Sequence, residues 1–401
     1  MKGLDRITNP FNDDKVISNC GLFGMMSTRG RKFSGRDVIL AMANMHDRGN
    51  GLGGGFAAYG IYPEYEDCYA LHVMYESMAG KEQTEAFIRT AFDLVHDEEM
   101  PHRDPASSRV GGAYTAGTAP ILWRYFVRVP ENVLKDMIRE DARKDIKNIE
   151  EDVADDYVVK QVMTIDTQIA DAYVFSSGKN MGVFKGVGYP EDIGNFFCLE
   201  EYSGYLWTAH GRFPTNTQAW WGGAHPFSLL DWSVVHNGEI SSYGTNRAFL
   251  EMHGYYCCMH TDTEVIAYAV DLLARRHRLP MDIVAKVLAP PLWTAIDRMP
   301  GPERRLHTAL RLTYPALLMN GPFTIIIARQ GEMIGLRDRI QLRPLVAGIK
   351  DDMLYLSSEE APIRVVCPEL DETWTVKGGE PIIGRLGGRV ITGSESRAAA
   401  S

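Results

Sequence analysis

The segment Cys20-Gly21-Leu22-Phe23-Gly24 follows a polar stretch, Met1 to Asn19. Cleavage between Asn19 and Cys20 would put a thiol and a free α-amine on one residue, a nucleophile that carries its own base. Three later segments offer what such a nucleophile needs. His210-Gly211-Arg212-Phe213-Pro214-Thr215-Asn216-Thr217 sets a guanidinium beside a proline-stiffened turn, which suits bidentate capture of a carboxylate. In His236-Asn237-Gly238-Glu239-Ile240, a side-chain amide and the neighbouring glycine N–H could converge on one developing oxyanion. Thr261-Asp262-Thr263-Glu264 stands at an expected helix start, with Asp262 able to receive an ammonium group.

Each segment also has a plainer reading. A free cysteine packs like a small hydrophobe, Asn-Gly marks a turn, Thr-x-x-Glu caps a helix, and an isolated arginine usually lies on the surface. The set is more specific than its members. One thiol, one pair of oxyanion donors, one cation and one anion are the groups needed to hold a free α-amino acid and attack its side-chain carbonyl, and the amino acid this implies is glutamine.

Other functions fit poorly. The 401 residues are 45% hydrophobic and 23% charged with a formal net charge of −10, and no run of Lys and Arg interleaves with aromatics as in a nucleic-acid binder. The most apolar run, Pro322-Phe323-Thr324-Ile325-Ile326-Ile327-Ala328, is far short of the ~20 residues a membrane helix needs. A lipid anchor or secretion signal at Cys20 would require an apolar stretch of roughly 7–15 residues ahead of it, and Ile7 to Lys15 is polar. The cysteines at 20, 68, 198, 257, 258 and 367 lack the close C-x-x-C pairing of zinc and iron–sulfur sites. A metal-free, disulfide-free protein of the reducing cytoplasm is expected.

The elements that must position these residues can be read in outline. A strand at Cys20 leads to a helix over Asp37 to Met45, whose apolar residues recur at helical spacing. Gly51 to Tyr62 and Cys68 to Met74 read as two paired strands, the glycines marking close backbone packing and not a phosphate loop. The stretch 81–168 reads as a helical insertion, dense in charge from Asn132 to Asp156, either decoration or a docking surface. Val265 to Arg275 is expected as an amphipathic helix. Short apolar segments, Phe323 to Ala328, Glu332 to Leu336, Leu345 to Ile349 and Met353 to Ser357, point to antiparallel pairing.

In motif order the chain resembles the class II glutamine amidotransferases, of the N-terminal-nucleophile hydrolase fold. The resemblance is carried by Cys20-Gly21-Leu22-Phe23-Gly24, His46-Asp47-Arg48-Gly49-Asn50, Gly211 to Thr217, His225-Pro226-Phe227, His236 to Ile240, and Thr261 to Glu264. It continues through Gly321-Pro322-Phe323-Thr324, Arg337-Asp338-Arg339, Leu342-Arg343-Pro344-Leu345 and Ser357-Ser358-Glu359. It implies an α+β fold, a four-layer αββα sandwich of two mainly antiparallel sheets with a helical insertion. Residues 1–19 would be a leader and 20–401 the amidotransferase domain. It further implies Cys20 as nucleophile, Asn237 and Gly238 as oxyanion hole, Arg212 on the substrate α-carboxylate, Asp262 on its α-ammonium, and Thr215, Arg48 and Gly49 as further substrate-binding residues. The family's His-Arg-Gly is lengthened here by Asp47.

Within the family, the segment Gly211 to His225 is most similar to the glutaminase part of glutamate synthase. The resemblance therefore implies a separate glutaminase subunit that passes ammonia to an FMN-dependent synthase subunit of a glutamate synthase-like complex. FMN and iron–sulfur clusters would sit on partner subunits and no cofactor on this chain. An N-methylglutamate synthase subunit, a scaffold subunit that never matures, and another amidohydrolase of the same fold are the alternatives.

Overall fold

The computed structural model describes residues 19–104, 119–141, 149–213 and 219–391. Its centre is a pair of stacked sheets. In the seven-stranded sheet the order is Glu372–Thr375, Val346–Lys350, Met353–Ser357, Gly21–Ser27, Leu206–Gly211, Gly54–Tyr59 and Met181–Gly186, and every neighbouring pair is antiparallel. The five-stranded sheet runs Phe227–Leu229, Trp232–Gly238, Phe323–Arg329, Glu332–Arg337 and Ile382–Arg385, again antiparallel throughout. Phe23 and Met26 of one sheet share a buried core with Val235, Ile326 and Met333 of the other.

Helices Gly35–Ala43, Pro190–Phe196 and Glu360–Val366 cover the outer face of the larger sheet, and Asp262–Val270 covers the smaller. This is the expected four-layer α+β arrangement. It explains why the strands read as continuous apolar runs. A strand with a sheet on one face and helices on the other has no wet side, so all seven residues of Gly21–Ser27 are buried and alternation disappears.

That loss of alternation accounts for two differences from the sequence reading. Gly54–Tyr59 and Tyr69–Tyr75 are not partners. The first lies between Leu206–Gly211 and Met181–Gly186, whereas the second belongs to a separate four-stranded sheet. Two fully buried strands close in sequence carry no signal of which neighbour each takes. Likewise Asp262–Val270 is not amphipathic: Thr263 to Val270 are all buried, and the helix continues as a π-helix over Asp271–Arg276. The close packing expected of the glycine run is present, since a Cβ on Gly55 would fall 2.4 Å from the His225 carbonyl oxygen.

The stretch 81–168 is helical only in part. Helices Met78–Ala91, Glu131–Glu140 and Ile149–Gln168 alternate with strands Asp93–Glu99 and Ile121–Arg128. Together with Tyr69–Tyr75 and Ala172–Ser176 these strands form the four-stranded sheet, in the order Asp93–Glu99, Ile121–Arg128, Tyr69–Tyr75, Ala172–Ser176. The outermost strand, Asp-Leu-Val-His-Asp-Glu-Glu, is acidic and has no fully buried residue, and that composition hides it among helical charge patterns.

Candidate active site

Cys20 sits one residue before the central strand Gly21–Ser27, whose first residue is opposite Gly211 on Leu206–Gly211. Pairing of these strands therefore brings Arg212 and Phe213 to the Cys20 end of the sheet. The Phe213 N–H donates to Cys20 Sγ at 3.3 Å, and the Phe213 carbonyl oxygen lies 3.9 Å from the same sulfur. Burial pushes the Cys20 thiol above its ordinary value of 9.0. The Phe213 N–H, Arg212 and Arg343 pull it back, while the negative charge of Asp262 adds to the rise. Among the described residues no imidazole or carboxylate is bonded to Sγ, so a base must come from elsewhere.

Arg212 is only 5% exposed. Its N–H donates to the Gly53 carbonyl at 2.8 Å, and its own carbonyl accepts from the Asn50 N–H at 3.3 Å. Burial lowers the affinity of this guanidinium for its proton, whereas Cys20 and Asp262 raise it, which places the three groups within electrostatic reach of one another. Asp262 opens helix Asp262–Val270, and the Thr261 hydroxyl caps that helix by accepting from the Glu264 N–H. The carboxylate accepts from the Ile240 N–H at 3.0 Å and lies 3.5 Å from His236 Nδ1. Burial works against its charge, but His236, the Ile240 N–H and the Thr263 hydroxyl hold its pKa below the ordinary 3.8. Asp262 thus stays anionic for a cationic partner.

Strand Trp232–Gly238 brings Asn237 and Gly238 to the same end of the sandwich, tied across the sheets by His210 Nε2 and the His236 carbonyl oxygen at 2.9 Å. Asn237 is 1% exposed and its Nδ2 has no acceptor among the described residues. A buried amide donor left unmade costs about 1–3 kcal/mol, which a ligand oxygen would offset. Gly238 has φ +145°, and a Cβ there would meet the Pro322 carbonyl oxygen at 1.9 Å, so only glycine allows the chain to turn at this point.

Beneath these groups lies a polar layer in which two of the histidines are uncharged. Thr263 Oγ1 stands 3.1 Å from His236 Nδ1 and 3.2 Å from His225 Nε2, and the His225 ring stacks on His210 at 4.1 Å. Burial lowers the pKa of His210 to about 3 and that of His225 well below its ordinary value, so both stay uncharged next to Arg212. Lys185 Nζ donates to the Gly222 carbonyl at 2.9 Å and lies over the Phe227 ring. Burial brings Lys185 down to about 7 and pushes Glu264 up to about 7.

Arg48 reaches Cys20 by a different route from that expected of a substrate-binding residue. The added Asp47 is taken up in a 3₁₀ turn, His46–Arg48, that faces His46 onto Tyr189 and Glu191 and turns Arg48 inward. Arg48 Nε and Nη2 both donate to the Cys20 carbonyl oxygen at 3.2 Å, and Nη1 pairs with Glu359. Gly49 closes that turn by donating to the His46 carbonyl at 3.1 Å. Thr215 lies outside the described residues. Sequence reasoning gave no site role to Phe213, Arg343 or Glu359, although the segments Gly211 to Thr217, Leu342-Arg343-Pro344-Leu345 and Ser357-Ser358-Glu359 contain them; their contacts are long-range or made by the backbone.

Among the described residues no group of three or more His, Cys, Asp or Glu could hold a metal ion, and no helix is long and apolar enough to cross a membrane. The arrangement gathers a sulfur, a buried amide donor with no acceptor among the described residues, a guanidinium and a carboxylate.

The model of the glutamine amidotransferases class-II matches residues 69–255. An uncharacterized protein of Archaeoglobus fulgidus is 56% identical over 379 residues, 94% of each chain. Glutamine–fructose-6-phosphate aminotransferase (isomerizing) of Zymomonas mobilis is 30% identical over 196 residues, 48% of this chain and 28% of that one. Among solved structures, the glutamine phosphoribosylpyrophosphate amidotransferase of B. subtilis, complexed with ADP and GMP, aligns over 93% of this chain and 49% of its own, with 15% identity and a TM-score of 0.44. The chain thus spans less than half the length of these two named proteins. Over residues 69–255 the chain is similar to the class II glutamine amidotransferases.

Proposed function

We propose that Cys20, released from Asn19, is the nucleophile that hydrolyses glutamine, and that the ammonia formed passes to a synthase subunit. The observation that carries this reading is the sulfur on the Phe213 N–H, within electrostatic reach of Arg212 and Asp262 and with no side-chain base bonded to it. A thiol whose pKa is raised by burial needs a base, and the α-amine of a freed Cys20 is the nearest group that could act as one. The thiolate attacks the carboxamide carbon. Asn237 Nδ2 and the Gly238 N–H stabilise the oxyanion, ammonia leaves, and water cleaves the thioester to glutamate. Arg212 holds the α-carboxylate and Asp262 the α-ammonium throughout.

For the acceptor, the motifs from Gly211 to Ile240 support a glutamate synthase-like complex, with FMN and iron–sulfur clusters on partner subunits. Two measurements test the reading. Cys20→Ala should abolish glutamine hydrolysis while leaving the fold intact, and retained turnover would refute the assignment. Copurification followed by a glutamine-dependent assay on 2-oxoglutarate should recover glutamate formation, and ammonia release with no such product in the purified complex would remove this acceptor.

A further inference from the structure

The residue ahead of the nucleophile is held as firmly as the nucleophile itself. Arg343 Nη1 donates to Asn19 Oδ1, a contact spanning 324 residues of chain. Arg343 is not a loose surface arginine. Its carbonyl oxygen accepts from Arg337 Nε at 2.6 Å and from the Thr324 hydroxyl at 3.2 Å. The loop bearing it is gathered around the buried Asp338 carboxylate, which accepts from the N–H groups of Ile340, Leu342 and Arg343 at 3.0, 2.9 and 3.3 Å. On the other side, Arg48 grips the Cys20 carbonyl oxygen with two nitrogens at 3.2 Å and is itself anchored by Glu359. The sulfur is fixed by the Phe213 N–H at 3.3 Å.

The peptide bond between Asn19 and Cys20 is therefore gripped on both sides, and the thiol is held by the Phe213 N–H. We propose that Arg343 and Arg48 form a clamp on that bond, and that Arg343, acting through the Asn19 side chain, is a positioning residue for its cleavage. The proposal rests on Cys20 being the nucleophile released there. In the reaction, Cys20 Sγ attacks the Asn19 carbonyl carbon, the C–N bond breaks, and the acyl group moves to sulfur. The thiol proton passes to the Cys20 nitrogen, which becomes the free amine. Water then adds to the thioester, leaving Asn19 with a carboxylate and returning the thiol. The five-membered ring through which sulfur reaches the preceding carbonyl exists only for a narrow range of torsions on both sides of the bond, and the clamp would hold that range. A side chain able to accept a hydrogen bond is accordingly required at position 19.

The test follows the full chain made in a cell-free system, with intact mass read at intervals. A hydrogen bond to a charged donor predicts that Asn19→Ala loses its leader about tenfold to a hundredfold more slowly than wild type. Arg343→Ala should be slowed as much, the double variant no further than either single one, and Arg343→Lys should recover part of the rate. Once cleaved, the Asn19→Ala chain is covalently identical to the mature wild type, so its kcat and KM for glutamine must be unchanged. Asn19→Ala maturing at the wild-type rate, or losses that multiply in the double variant, would overturn the clamp. If the wild type matures and hydrolyses glutamine while the variants mature equally fast, only the clamp fails. A wild type that keeps residues 1–19 and hydrolyses no glutamine sinks the reading of Cys20, and the clamp with it.

Discussion

The face of the site and the layer beneath it are both polar and both largely buried, yet they are built on opposite rules. At the face, charges are kept and opposed: Arg212 and Arg343 positive, Asp262 held anionic, all within electrostatic reach of Cys20. Beneath, charge on the imidazoles is suppressed: burial drives His210 and His225 to the uncharged form, and Thr263 joins His225 to His236. A second buried positive charge there would repel Arg212, and an unpaired one would cost several kcal/mol. The histidine layer supplies directional hydrogen bonds without disturbing the field an amino acid would meet.

Substitutions that cross this division test it. The largest effect is expected at the face. Asn237→Ala should leave glutamine KM nearly unaltered and reduce kcat by about 100- to 1000-fold, the cost of losing one oxyanion donor; steady-state kinetics giving a near-normal kcat would remove Asn237 from that role.

Glu264, beneath, should affect stability more than turnover. Its pKa is raised from 4.5 to about 7, so between those values the folded chain binds more protons than the unfolded one. Its contribution is then complete below pH 4.5 and is lost as pH rises through about 7. Glu264→Gln removes that loss. Urea unfolding across this window should show the difference in stability moving in the variant's favour by about 3 kcal/mol, and parallel curves would contradict the assignment. The smallest effect is expected for Thr263→Val, which leaves two histidine nitrogens without their shared hydroxyl. A loss of about 1–3 kcal/mol in stability with a raised KM and little change in kcat is predicted; a selective fall in kcat would place Thr263 in the chemistry instead.

The face was the more legible layer in the sequence. Cys20, Arg212, Asn237, Gly238 and Asp262 stand in short local motifs, and each is delivered by the end of a strand or the start of a helix, where local pattern is strongest. The histidine layer was not legible as a unit. His210, His225, His236 and Thr263 lie inside those same motifs, but they meet only because two sheets stack, and no local pattern states how sheets stack. The same limit explains the strands Gly54–Tyr59 and Tyr69–Tyr75, assigned to each other by proximity in sequence and placed by the fold in different sheets. Arg48 shows the converse: its motif was seen, but only the 3₁₀ turn reveals that its guanidinium takes the Cys20 carbonyl.

The acidic strand Asp93–Glu99 has a bearing on solution behaviour. It is the outer member of the four-stranded sheet, so among the described residues one row of its backbone N–H and C=O groups has no strand beside it. Such a row invites a strand from another molecule, and like charges repel that approach. Asp93, Asp97, Glu98 and Glu99 give this edge four carboxylates in seven residues, against one histidine. Protection of this kind is strongest at neutral pH and low salt. It weakens as acid neutralises the carboxylates or salt screens them, so this edge is more open to intermolecular pairing under those conditions.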